Sequence, residues 1–119
     1  MLIQVVHCHP LTDSFNHALF RVIVDQLQQR HQVIATDLYR ERFSPVMTEA
    51  ERRSYYQPSY AGDEVAPLIQ QLRQADGIIF CFPHWWFSMP AMLKGYSTGS
   101  GRRERLLRMI WMADASSPC

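Results

Sequence analysis

Gly77-Ile78-Ile79-Phe80-Cys81-Phe82-Pro83-His84-Trp85-Trp86-Phe87-Ser88-Met89-Pro90 decides the reading of this chain. Its first six residues are β-branched, aromatic and without polar alternation, and they lie between Asp76 and Pro83, as expected of a strand buried on both faces. Pro83 stops that strand. Pro90 suits the first turn of a following helix, where its missing N–H goes unneeded. Trp85, Trp86 and Phe87 therefore fall on a strand-to-helix loop, and three adjacent aromatics there call for a flat partner. Open α/β sheets bind ligands just past such strand ends.

Working outward, Leu2-Ile3-Gln4-Val5-Val6 reads as a first strand, and His7 to Asp13 as a polar loop closing on the helix-cap residues Asp13 and Ser14. Phe15, Ala18, Leu19, Val22, Ile23 and Leu27 then recur at helical spacing and predict the face that packs on a sheet. Gln32 to Asp37 is a second strand, so strand, helix and strand make one right-handed parallel unit. The signal weakens from Leu38 to Tyr60, although Thr48-Glu49-Ala50-Glu51 has the spacing of a capping box. Glu64 to Gln74 predicts another sheet-covering helix through Val65, Leu68, Ile69 and Leu72. This alternation gives a doubly wound α/β sheet whose first and third strand ends adjoin at the switch point. Both loops of interest converge there.

Length and charge narrow the function classes. The 119 residues suffice for one domain, and twelve basic against eleven acidic residues leave a net charge of +1. Such a balance predicts no attraction to nucleic acid, and no apolar run reaches membrane-spanning length. Cys8, Cys81 and Cys119 are few and odd in number, which speaks against a disulfide scaffold. With no leader-like N-terminus, the chain reads as cytoplasmic.

The first loop, His7-Cys8-His9-Pro10-Leu11-Thr12-Asp13-Ser14-Phe15-Asn16, lacks the glycines of a dinucleotide fingerprint or a Walker loop. A helix N-terminus still offers free N–H groups and a positive dipole end, to which Ser14 and Asn16 add donors and His9 a charge, enough to hold phosphate. The simpler reading is a cap at Asp13 or Ser14 with Phe15 in the core.

His9-Pro10 followed by Ser14-Phe15-Asn16, and Pro83 through Tyr96, together resemble the flavodoxin-like NAD(P)H:quinone oxidoreductases. The resemblance covers residues 1–96. It implies an incomplete flavodoxin-like sheet, with three strands of an expected five. It further implies that His9, Ser14, Phe15 and Asn16 hold the flavin's phosphates, and that Pro83, His84, Trp85, Trp86 and Phe87 cradle its isoalloxazine. FAD is the implied cofactor, with FMN as the alternative, and NAD(P)H the cosubstrate. In that family hydride passes from NAD(P)H to flavin and then, as two electrons, to a quinone; backbone amides stabilise the reduced ring. Homodimerisation near the active site is implied as well, so each tryptophan could instead be a core or dimer contact. Ancillary subunits of glutathione-regulated potassium-efflux antiporters resemble the same family and give an alternative role.

Other groups of residues carry less. His7-Cys8-His9 offers metal-ligand types, but alternate residues on an extended segment face opposite ways, and no metal is expected. Cys81 reads as an inert buried thiol, and His17 and His31 as surface residues. Arg102-Arg103-Glu104-Arg105 with Arg108 reads as a solvated helix face.

The resemblance breaks after Tyr96. The family continues with an apolar residue and Asp-Arg-Val, whereas this chain has Ser97-Thr98-Gly99-Ser100-Gly101. Codons exist for these five residues that, read one base earlier, give Phe-Asp-Arg-Val-Trp. The expectation is a single-base change of frame, with residues 97–119 an out-of-frame tail; a nonfunctional remnant of the parent activity is the further alternative. In the other reading the tail is genuine and Arg103 to Met112 form a helix. Either way the third strand is expected to be an exposed edge.

Overall fold

A computed structural model describes residues 1–57, 59, 65–100 and 109–114. In chain order they form β1 (Leu2–His7), α1 (Phe15–Gln28), β2 (Gln32–Asp37), α2 (Glu49–Ser54), α3 (Ala66–Gln74), β3 (Gly77–Pro83), α4 (Ala91–Ser100) and β4 (Met109–Asp114). The strands make one parallel sheet in the order β2-β1-β3-β4. The predicted doubly wound α/β architecture is therefore present, with β1 and β3 side by side at its centre.

Alternation along β1 sorts the core into two layers. Ile3 and Val5 join Phe20, Ile79 and Cys81 on the face covered by α1. Val6 and Cys8 join Leu68, Leu72, Ile78, Phe80, Leu93 and Tyr96 on the face covered by α3 and α4. Between sheet and helix, the fully buried Gln4 amide donates to Thr36 Oγ1 at 3.3 Å and Gln71 Oε1 at 3.4 Å, linking β1, β2 and α3. The Thr48–Glu51 capping box forms as its spacing predicts, each residue's side chain accepting from the other's backbone N–H. Gly95 lets α4 pass close to the loop after β2: a Cβ there would lie 2.5 Å from the Pro45 carbonyl oxygen and 2.6 Å from its Cα.

Four expectations are corrected. The sheet has four strands rather than three, because Met109–Asp114 pairs along β3 from Ile78↔Met109 to Pro83↔Asp114. That pairing covers the edge expected to stand exposed. It also makes residues 109–112 strand where a helix over 103–112 was considered; residues 101–108 lie outside the described residues. On α1 the packed face is rotated from the predicted one: Phe15 is 67% and Val22 57% exposed, while Asn16, His17 and Phe20 are buried. Hydrophobic spacing alone overlooked the polar residues that point inward at the start of this helix. No described helix is long and apolar enough to cross a membrane.

Candidate functional site

The site lies where β1 and β3 end and their loops part toward opposite faces of the sheet. Parallel register sets it: His7 stands beside Asp37 of β2 and Cys81 of β3. The last ladder bonds run past the strand ends, from Cys8 N to Cys81 O at 3.1 Å and from Leu38 N to His7 O at 3.0 Å.

After β1 the chain turns into α1 through the buried Cys8 and His9 and then the exposed Pro10 to Asp13. Ser14 caps the helix, its Oγ accepting from His17 N at 3.0 Å and donating to Leu11 O at 2.9 Å. Its hydroxyl proton is thus committed to the loop. The Phe15 and Asn16 N–H groups, in the first turn, have no intrahelical acceptor. His9 is 4% exposed, and its Nδ1 accepts from Leu11 N at 3.0 Å, which places a proton on Nε2. Asn16 is fully buried against Cys81, whose thiol lies 3.7 Å from Asn16 Oδ1. The Asn16 Nδ2 donor, in contrast, finds no acceptor among the described residues.

The loop after β3 is built differently. Trp85 and Ser88 exchange both backbone hydrogen bonds at 3.0 Å, closing a two-residue turn around Trp86 and Phe87. Those two residues have φ of 49° and 62°, the left-handed geometry such a turn demands and large side chains seldom adopt. Trp86 is 94% and Phe87 91% exposed, so no core packing rewards the strain. His84 is exposed, while Pro83 closes β3 as a buried residue. Trp85 turns back toward the first loop, its ring edge-on to His9 with centroids 5.7 Å apart. Its indole Nε1 is a second buried donor with no acceptor among the described residues.

The structure thus brings together His9, Asn16, Pro83 and Trp85, sets Trp86 and Phe87 outward as a platform beside them, and commits the Ser14 side chain to capping. Phe15 leaves the core and contributes its backbone. The two orphaned donors fit a ligand rich in acceptor oxygens and nitrogens, and the adjacent aromatic turn fits a planar ring.

Beneath the first loop lies a buried cluster that the sequence reading missed. The His7 ring stacks on Phe20 with centroids 4.5 Å apart, and its Nδ1 is 3.2 Å from Cys81 O. Its Nε2 is 3.3 Å from His17 Nδ1, so His17 is an interior residue rather than the surface residue expected. His31 is also half-buried, with Nδ1 lacking an acceptor or donor partner among the described residues. Burial lowers the His7 pKa to about 4, against the pull of the nearby Asp37 carboxylate. Burial likewise pushes the Cys8 thiol up to about 12, which removes it as a nucleophile. The available signal was register: residues 7 and 37 end paired parallel strands, and 17 lies in the first turn of the helix covering them.

Residues 1–97 match the family described as flavodoxin-like fold. An uncharacterized NAD(P)H oxidoreductase, YcaK of Escherichia coli K12, is 33% identical over 127 aligned positions, covering 93% of this chain and 62% of YcaK. Human ribosyldihydronicotinamide dehydrogenase [quinone] is 33% identical over 112 positions, covering 79% of this chain and 48% of its own length. The chain therefore spans about half to three-fifths of these relatives. The solved NAD(P)H:quinone oxidoreductase from Methanothermobacter marburgensis superposes with a TM-score of 0.83 over 95% of this chain and 63% of that one, at 22% identity. With its sheet order, its two switch-point loops and these matches in agreement, the chain belongs to the flavodoxin-like fold family, among relatives named as NAD(P)H and quinone oxidoreductases.

Proposed function

We propose that this chain is the flavin-binding part of an NAD(P)H:quinone oxidoreductase. The observation that carries the reading is the pair of buried, acceptorless donors, Asn16 Nδ2 and Trp85 Nε1, in two loops that meet at the His9–Trp85 contact. Asn16, His9 and the first-turn N–H groups of Phe15 and Asn16 would hold the flavin's phosphates, helped by the positive end of α1. Pro83, His84, Trp85, Trp86 and Phe87 would receive the ring, and the strained turn keeps the two outer aromatics pointed at solvent and substrate. A flavin bound there would supply the redox chemistry between NAD(P)H and a quinone. The protein's part is to place donors and flat surfaces, and no side-chain nucleophile is needed. FAD suits the aromatic turn by resemblance, with FMN as the alternative. A homodimer through the exposed Trp86 and Phe87 is part of the same proposal.

The segment after Tyr96 belongs to the proposal too. The family match ends at residue 97, where the expected apolar residue and Asp-Arg-Val give way to Ser97-Thr98-Gly99, which supports a change of reading frame there. The YcaK alignment over 93% of this chain and the pairing of β4 along β3 support a native tail instead, and sequencing the encoding gene decides between them. An uninterrupted frame whose product ends at Cys119 would refute the change and make β4 a native strand.

The reaction is tested on flavin-loaded protein under anaerobic conditions. NADH or NADPH should bleach the flavin's visible band, and a quinone should restore it. Protein that takes up flavin without being bleached by either nucleotide would refute the reductase reading.

A further inference from the structure

The buried cluster beneath the first loop has the makings of a metal site, independent of the flavin reading. One ligating atom each from His7, His17 and Asp37 lies within 4.8 Å of the others. Three features go beyond proximity. His7 Nδ1 faces Cys81 O at 3.2 Å; donating its proton there leaves Nε2 with its lone pair aimed at the cluster, the arrangement by which metal-binding histidines are oriented. His7 Nε2 and His17 Nδ1 are 3.3 Å apart, close to the ~3.4 Å separation of two nitrogens at ordinary zinc distances in a tetrahedron. The Asp37 carboxylate accepts from Arg40 N, and among the described residues no cationic side chain pairs with it.

From this geometry we propose that His7, His17 and Asp37 bind one borderline divalent cation of the zinc type. Two imidazoles select against magnesium and calcium, and one carboxylate with two imidazoles leaves a coordination position for water. Asp37, the partly exposed member, is the side from which the ion enters. A bound ion would tie together the ends of β1 and β2 and the first turn of α1, directly under the phosphate cradle.

The test uses the full chain stripped with a chelator and titrated with Co2+ and, separately, Zn2+. Expected are one Co2+ per chain with visible ligand-field bands from imidazole ligation, and a higher melting temperature with Zn2+. His17→Gln and Asp37→Asn should each weaken binding by about 100-fold or more, the upper end of what losing even an outer-shell partner costs, while His31→Gln should not. Unfolding of either variant would be checked by circular dichroism. Paramagnetic broadening by Co2+ of the His7 and His17 ring signals, read on the unsubstituted chain, gives an independent answer. Absence of stoichiometric binding, unchanged affinity in both folded variants, or broadening confined to other histidines would overturn the assignment.

Discussion

The loops after β1 and β3 end at the same edge of the sheet, yet they are held by opposite means. The first is anchored by buried ends: His7, Cys8 and His9 on one side and Asn16 and His17 on the other are all under 10% exposed, while Pro10 to Asp13 lie outside. The second holds Trp86 and Phe87 almost wholly in solvent on left-handed backbone. Burial fixes the first by making any other arrangement costly, whereas a double backbone hydrogen bond fixes the second at the expense of strain. A site made of one packed cradle and one strained platform separates stability from binding, and substitutions should divide accordingly.

The largest contrast is between two phenylalanines. Phe20, stacked on His7 under the cradle, should cost about 3–5 kcal/mol when replaced by Ala, read from denaturant unfolding. Phe87→Ala on the platform should stay within about 0.5 kcal/mol, and equal losses would break the distinction. Acid gives the next effect. Because His7 has a pKa of about 4 when folded against 6.5 in the open chain, protonation favours unfolding. Metal-free protein should keep this stability above pH 6.5 and lose up to about 3 kcal/mol as pH falls toward 4. A stability flat across that window would place His7 in water. Ser14→Ala should cost about 1 kcal/mol through the lost cap. The smallest effect has the opposite sign: Trp86→Gly relieves a left-handed residue and should leave stability unchanged or raised by up to about 1 kcal/mol, while weakening flavin binding.

The fold was legible because its strands announce themselves. Gly77 to Phe82 and Leu2 to Val6 are continuous apolar runs, and the α/β alternation around them admits few topologies. The position of both loops followed from chain order. What did not follow was which way each residue faces. Phe15 looked like core and is exposed; His17 looked like surface and is buried. Periodicity counts apolar residues and so misreads a helix start that buries polar ones for use. The His7–His17–Asp37 cluster was hidden for a related reason, since its members sit on three elements and meet only through strand register. Met109–Asp114 escaped because Leu106, Leu107, Ile110 and Trp111 fit helical spacing, and the strand's partner lies 31 residues earlier.

The central claim is that cradle and platform together hold one flavin. Titration of the full chain with FAD and with FMN, following flavin fluorescence, tests it directly. The account predicts saturable quenching at one flavin per chain, weakened about tenfold or more by both Asn16→Ala and Trp86→Ala. Absence of quenching by either flavin, or quenching that survives both substitutions unchanged, would contradict it.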